Sequence, residues 1–210
     1  QTEILESGPT LTNEEGVDFL RKFEEMLVNV SLVTISGSLP KGLPVNFYQQ
    51  MLSLCRNKGV PVILDSSGEP LQAALLHIDK PFAIKPNITE LSQLLGEKVD
   101  SRISSLKQAL DHEWFRGIEW IVVSMGGEGA FVRHGAKDYR VTLPNINVVN
   151  PVGSGDAVVA GLAVAINRKQ PVETVLKTAM ATGMLNTMEA STGSINMAKF
   201  GQYFDLVKID

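Results

Sequence analysis

The stretch Asn145-Ile-Asn-Val-Val-Asn-Pro-Val-Gly-Ser-Gly-Asp156-Ala-Val-Val-Ala-Gly-Leu-Ala-Val-Ala-Ile166 decides how the chain is read. Its first part sets apolar Ile146, Val148 and Val149 among Asn145, Asn147 and Asn150, which predicts a short strand stopped by Pro151. Its second part is rich in Ala, Leu and Ile at helical spacing, with no breaker before Asn167, and predicts a helix. Between them Gly153-Ser154-Gly155-Asp156 forms a tight glycine turn on the helix N-terminus. Backbone N–H groups at such a turn lack intrahelical partners and sit at the positive end of the helix dipole, which suits an anion. One acid, Asp156, occupies that spot.

Upstream, the same strand–loop–helix unit repeats. Val30–Ile35, Val60–Leu64, Phe82–Ile84 and Trp120–Ser124 are short, apolar and β-branched or aromatic, with no solvated face. Such strands predict a mostly parallel, doubly wound α/β sheet with helices on both faces. Thr12-Asn-Glu-Glu15 has the pattern of a capping box, and the helix it opens carries Val17, Leu20, Phe23, Met26 and Leu27 on one face. Further helices are predicted from Pro44 to Lys58-Gly59, around Glu69–His77, over Glu90–Leu95, Ser104–Phe115, Val172–Asn186 and Met197–Leu206. Ala130–His134 and Tyr139–Leu143 read as a hairpin turning at Gly135. Thr2–Glu6 reads as an edge strand closed by Ser7-Gly8-Pro9. With no repeat, low-complexity tract or linker, residues 1–210 are predicted to be one domain.

In open α/β sheets, ligands bind beyond the carboxyl ends of the strands. Here those ends carry Ser36-Gly-Ser38, Asp65, Lys85-Pro-Asn87, Ser124-Met-Gly-Gly127 and the glycine corner. Small donors, glycines, one lysine and a few acids are what a phosphate-rich ligand requires. Each piece also has a plain structural reading. Asp156 could simply cap a helix, Asn87-Ile-Thr-Glu90 is a capping box with Asn in place of Ser/Thr, and Met125–Gly129 could be a hairpin turn.

Composition narrows the class. Hydrophobic residues make up 44% of the chain and charged ones 20%, as in an ordinary globular protein. Nineteen basic against 23 acidic residues leave a net charge of −4, which gives no support for nucleic acid or an anionic membrane as the main partner. The single Cys55 excludes an internal disulfide framework and fits a cytoplasmic location. No apolar run approaches the ~18 residues of a membrane span. His77, His112 and His134 lie far apart without ligand or triad spacing. The corner is neither the dinucleotide fingerprint, since Val158 stands at its third glycine, nor a P-loop.

In order and spacing, Ser36-Gly-Ser-Leu-Pro, Lys85-Pro-Asn-x-x-Glu-Leu91, Ser124-Met-Gly-Gly-Glu-Gly129 and Asn150-Pro-Val-Gly-Ser-Gly-Asp156 resemble the PfkB (ribokinase-like) carbohydrate kinases. The Asn-Pro-Val-Gly-Ser-Gly form of the last, with Gly183-Met-Leu-Asn186 and Thr192-Gly193, resembles the tagatose-6-phosphate kinase and 1-phosphofructokinase branch. The resemblance implies a ribokinase-like core lacking the family's N-terminal third, with residues 1–8 as a remnant of its β lid. It implies ATP and Mg²⁺ as cofactors, a sugar phosphate as partner and a homodimer in the intact protein. The favoured acceptor is D-tagatose 6-phosphate, with fructose 1-phosphate and fructose 6-phosphate as alternatives. Asp156 would be the catalytic base, and the N–H groups of Gly153, Ser154 and Gly155 would stabilise the transferring phosphoryl group. By the same resemblance Lys85 and Asn87 lie along the nucleotide phosphates, while Ser124, Gly126, Gly127 and Gly129 hold the nucleotide with Asn186 near the adenine. Ser38 would contact the acceptor's phosphate, and Glu90 would position Mg²⁺ through water. A non-catalytic nucleotide- or sugar-phosphate-binding module and a Rossmann-type oxidoreductase are the competing classes. The missing third glycine argues against the latter.

Overall fold

The structure, a computed structural model, is described for residues 8–210, so the strand at Thr2–Glu6 and all but Gly8 of the lid remnant lie outside the described residues. Among the described residues, seven strands form one sheet in the order β1-β2-β3-β4-β5-β6-β7. β1 (Val33–Ser36), β2 (Val62–Asp65), β3 (Ala83–Ile84) and β4 (Trp120–Ser124) run parallel. From β4 onward the pairing is antiparallel, through β5 (Ala130–His134), β6 (Lys137–Thr142) and β7 (Lys208–Ile209). The parallel strands need helical crossovers, whereas β5 follows β4 through a short glycine loop. The last strand, β7, is two residues long and carries no pattern that could announce it.

Strand alternation splits the core into two layers. Val62, Leu64, Ile84, Ile121, Val123 and Phe131 face one layer; Ile63, Ala83, Trp120, Val122, Ala130 and Val132 face the other. The first layer is covered by α1 (Asn13–Met26), α2 (Phe47–Asn57), α3 (Gly68–Leu76), α4 (Ile88–Leu95) and α5 (Ile103–Leu110). The second is covered by α6 (Ser154–Asn167), α7 (Val172–Thr187) and α8 (Phe200–Leu206). Each fully buried Leu, Ile or Phe contributes about 1.5–3 kcal/mol, so the strands owe their place to side chains on both faces. Cys55 belongs to the first layer, and burial pushes its thiol up to about 11.

Several expectations are corrected. The segment Asn145–Asn150 forms no strand and bends at Val149. Its Val149 and Asn150 N–H groups donate to the Thr187 carbonyl at 2.8 and 3.0 Å, and Val148 and Val149 are about half exposed. The segment crosses the end of α7 instead, and β7 is the strand that pairs with β6. The capping box of α1 is present, with Thr12 and Glu15 bonded reciprocally. Its buried side, however, runs through Gly16, Leu20, Phe23 and Leu27, while Val17 and Met26 are exposed. A glycine at position 16 lets the helix approach Leu43 and Phe47. The predicted Ser104–Phe115 helix stops at Leu110, and a 3-10 turn takes over at Glu113–Phe115. No helix is long and apolar enough to cross a membrane among the described residues.

Candidate active site

Lys85 lies at the centre of the strand ends. It follows β3, is 7% exposed, and its Nζ stands 3.3 Å from Asp65 Oδ1 at the end of β2. The sheet register makes this pair: Leu64 is matched with Ile84, so the next residue on each strand falls beside the other. Burial pushes the Asp65 carboxyl above the usual aspartate value, and Lys85 pulls it back down. The like charges of Glu90 and Asp156 push it up further. Three carboxylates therefore share one electrostatic neighbourhood around a single buried ammonium.

The glycine corner closes over that ammonium. Gly153 is the N-cap of α6 with φ 80° and ψ 1°, a left-handed conformation that a side chain would strain. A Cβ added to Gly155 would lie 3.2 Å from Lys85 Nζ, so the Gly155 backbone packs directly on the lysine head. Asp156 is the third residue of α6, in its first turn and exposed. The Ser154 N–H donates to the Pro151 carbonyl at 3.3 Å, so within Gly153–Gly155 the N–H groups of Gly153 and Gly155 are the ones left without a partner among the described residues, beside the Lys85 charge.

Next to the corner, Asn87 and Glu90 form the capping box of α4. Asn87 Oδ1 accepts from the Glu90 N–H, and Glu90 Oε2 accepts from the Asn87 N–H, both at 2.9 Å. The Ser124 N–H donates to the Pro86 carbonyl at 2.9 Å, tying the Lys85-Pro-Asn loop to the end of β4. The capping reading of Asn-x-x-Glu is realised, and it holds the Glu90 carboxylate within reach of Asp65.

A cleft of about 250 Å³ opens beside these groups. Lys85, Ser124, Gly126, Gly127, Gly129, Ser154 and Gly155 line it, so seven of the sequence-derived site residues meet there. Leu143 just after β6, Ile146 and Val148 from the crossing segment, and Met180 and Met184 from α7 supply an apolar lining. Gly153, Asn87, Glu90 and Asp156 stand in the adjoining corner and capping box rather than on the cleft lining. Ser38 lies on the loop after β1 and lines a separate cavity of about 410 Å³ between α1, β1 and α2. Asn186 is 1% exposed and does not line the cleft; its side chain lies against Gly153.

Two features escape a reading of the sequence. The partnership of Asp65 with Lys85 had one signal, an acid ending an apolar strand as the lysine does. The apolar lining from α7 had none, because Met180 and Met184 read as ordinary core. As for a divalent cation, among the described residues no three His, Cys, Asp or Glu side chains form a ready cage. Mg²⁺ needs only one or two carboxylates when phosphates and waters complete its shell. The surplus of Asp65, Glu90 and Asp156 over Lys85 fits a cation of that kind.

A mixed, mostly parallel α/β sheet with a glycine corner, a buried lysine and acids at its strand ends has the ribokinase-like fold. Residues 1–199 match the pfkB family of carbohydrate kinases, and the chain belongs to that family. Among solved structures it is similar to phosphofructokinase-2 from Escherichia coli in complex with potassium, at 26% identity and TM-score 0.84 over 96% of this chain and 64% of that one. A second structure of the same Escherichia coli protein, at 25% identity and TM-score 0.80 over 96% of this chain and 64% of that one, is in complex with fructose-6-phosphate. A possible 1-phosphofructokinase from Thermotoga maritima shares the fold at TM-score 0.89 and 21% identity over 100% of this chain and 66% of that one. The chain thus spans just under two thirds of the length of these relatives.

Proposed function

We propose that this chain carries the phosphoryl-transfer centre of an ATP-dependent ketohexose-phosphate kinase, converting D-tagatose 6-phosphate and ATP to D-tagatose 1,6-bisphosphate and ADP. The observation that carries the reading is the Gly155 backbone packed on the Lys85 ammonium, with Asp156 on the next residue. Lys85 and Ser124 receive the nucleotide phosphates, and the apolar lining receives the nucleoside. The corner N–H groups of Gly153 and Gly155 face the γ-phosphoryl group, whose charge they stabilise without reorganising, and the Ser154 N–H joins them by leaving the Pro151 carbonyl. The acceptor hydroxyl oxygen attacks the γ-phosphorus, the bond to the ADP oxygen breaks, and the hydroxyl proton passes to Asp156. Glu90 would hold Mg²⁺ through water beside Asp65, and the ion would add positive charge at the phosphates. Ser38 contacts the acceptor's own phosphate from the loop after β1.

The resemblance of the Asn150-Pro-Val form of the corner to the tagatose-6-phosphate kinase and 1-phosphofructokinase branch supports tagatose 6-phosphate first. A second reading, with fructose 6-phosphate or fructose 1-phosphate as acceptor, is favoured by the structural likeness to a phosphofructokinase-2 in complex with fructose-6-phosphate. A coupled ADP-release assay with the three sugar phosphates separates these readings, with tagatose 6-phosphate giving the highest turnover. Replacing the base, Asp156→Asn, lowers turnover ~10²–10⁴-fold while ADP affinity is kept. A variant retaining more than about a tenth of the turnover would defeat the base assignment. Tight ATP binding with no ADP released on any acceptor would make the chain a non-catalytic nucleotide-binding module.

A further inference from the structure

Asn186 sits on the last turn of α7 with 1% of its surface exposed, and neither its amide nitrogen nor its carbonyl oxygen has a hydrogen-bond partner among the described residues. A buried primary amide left unspent in this way is costly, and native interiors rarely keep one without use. Its position is specific. A Cβ built on Gly153 would lie 3.2 Å from Asn186 Oδ1, so the carboxamide is aimed at the residue that starts the anion-binding corner. The same helix flank approaches α6 again at Gly183, where a Cβ would meet the side chain of Val158 and lie 3.4 Å from the Ser154 carbonyl. α7 is therefore the floor beneath the corner, and Asn186 is the polar group on that floor nearest Gly153.

We infer that Asn186 is a positioning residue for the corner, which it braces from beneath when a phosphoryl group is bound above. In a trans peptide the N–H and C=O point in opposite directions. Corner peptides that turn their N–H groups outward to an anion must turn carbonyl oxygens inward, towards α7. The carboxamide of Asn186 can present either its NH₂ or its oxygen by rotating half a turn, and so can meet whichever backbone group the bound arrangement leaves inside. The Gly153 carbonyl already accepts from the Ala157 N–H at 2.9 Å, the Pro151 carbonyl from the Ser154 N–H at 3.3 Å, and the Val152 N–H donates to Asn150 Oδ1 at 3.0 Å. The Val152 carbonyl is therefore the group it can serve, and the site it serves is the γ-phosphoryl position, not the nucleoside. This inference rests on the proposed kinase reading of the corner.

The test compares ATP and ADP binding, because only ATP places a phosphoryl group at the corner. Calorimetry on the wild-type chain and on Asn186→Leu, with each nucleotide and Mg²⁺, should show ATP affinity falling about tenfold, the worth of one such hydrogen bond, with ADP affinity unchanged. Thermal denaturation should show the leucine variant as stable as wild type or more so, since an unpaired polar group has been removed. Asn186→Ala, which cannot overpack, gives the same ATP-over-ADP split should leucine not be accommodated. Equal weakening of ATP and ADP would overturn the inference in favour of a contact with the nucleoside. Unchanged binding of both would overturn it in favour of packing alone. A wild-type chain that binds neither nucleotide would instead overturn the kinase reading, and the inference with it.

Discussion

Lys85 and Ser124 bring polar groups to the cleft from the ends of parallel-sheet strands, whereas Ile146, Val148 and Met184 bring apolar surface from a crossing segment and a helix flank. The two linings are held in place differently. Lys85 is buried, paired with Asp65 and pressed by the Gly155 backbone, so its charge is fixed in position before any ligand arrives. Val148 is 52% exposed, on a segment whose neighbouring N–H groups hang from the end of α7. On the proposed kinase reading the difference is a division of labour: preorganised charge would read phosphate, and the apolar area would accept the rest of the nucleotide.

Breaking the charged lining should have the largest effect. Lys85→Met is expected to weaken ATP about 10- to 100-fold by calorimetry, the range for losing a hydrogen bond to a charged group. It also strips Asp65 of its partner, and breaking a buried pair costs up to roughly 3–5 kcal/mol of stability, less where Asp65 takes up a proton. An unchanged ATP affinity would remove Lys85 from the phosphate site. Breaking the apolar lining should do less and do it differently. Val148→Ser is expected to weaken ATP and ADP alike, about fivefold for roughly 1 kcal/mol of lost apolar burial. A loss confined to ATP would show that the segment contacts phosphate instead.

The smallest effect sharpens the charged side through pH. The folded-state pKa of Asp65 is raised, chiefly by burial. The folded chain therefore binds more protons than the unfolded one between the ordinary aspartate value, about 3.9, and the raised value. Stability from this group accordingly falls as pH rises through that window, the reverse of a salt-bridged acid with a lowered pKa. Urea unfolding midpoints measured from about pH 4 upward should show this slope in the wild type and a flatter one in Asp65→Asn. Identical slopes would mean that Asp65 is not desolvated in solution.

The same contrast explains what was legible beforehand. That Lys85 and the glycine corner would meet could be read because both stand at predicted strand ends of one sheet edge, although each alone also had a plain structural reading. Asn87 and Glu90 could be read as a cap from their spacing, and the cap is present. The apolar lining could not be read, since Met180 and Met184 differ from core residues only in which of their atoms meet the cleft. Asn145–Asn150 was misleading for a related reason. Alternation favours a strand, but here the backbone N–H groups of Val149 and Asn150 bond to the Thr187 carbonyl at the end of α7, and Lys208–Ile209 pairs with β6. Asn186 was legible as a site residue only through family resemblance, and its place beneath Gly153 needed three dimensions.

Cys55 offers a last consequence, a practical one. It is the chain's sole cysteine, buried in the layer opposite α6 and α7, with its thiol pushed up to about 11. Near neutral pH almost none of it is thiolate, the form that reacts with alkylating reagents. The molecule is thus already a silent background for site-directed labelling. A cysteine introduced on the exposed crossing segment would be the one thiol open to a fluorophore, placed where a nucleotide would change its signal.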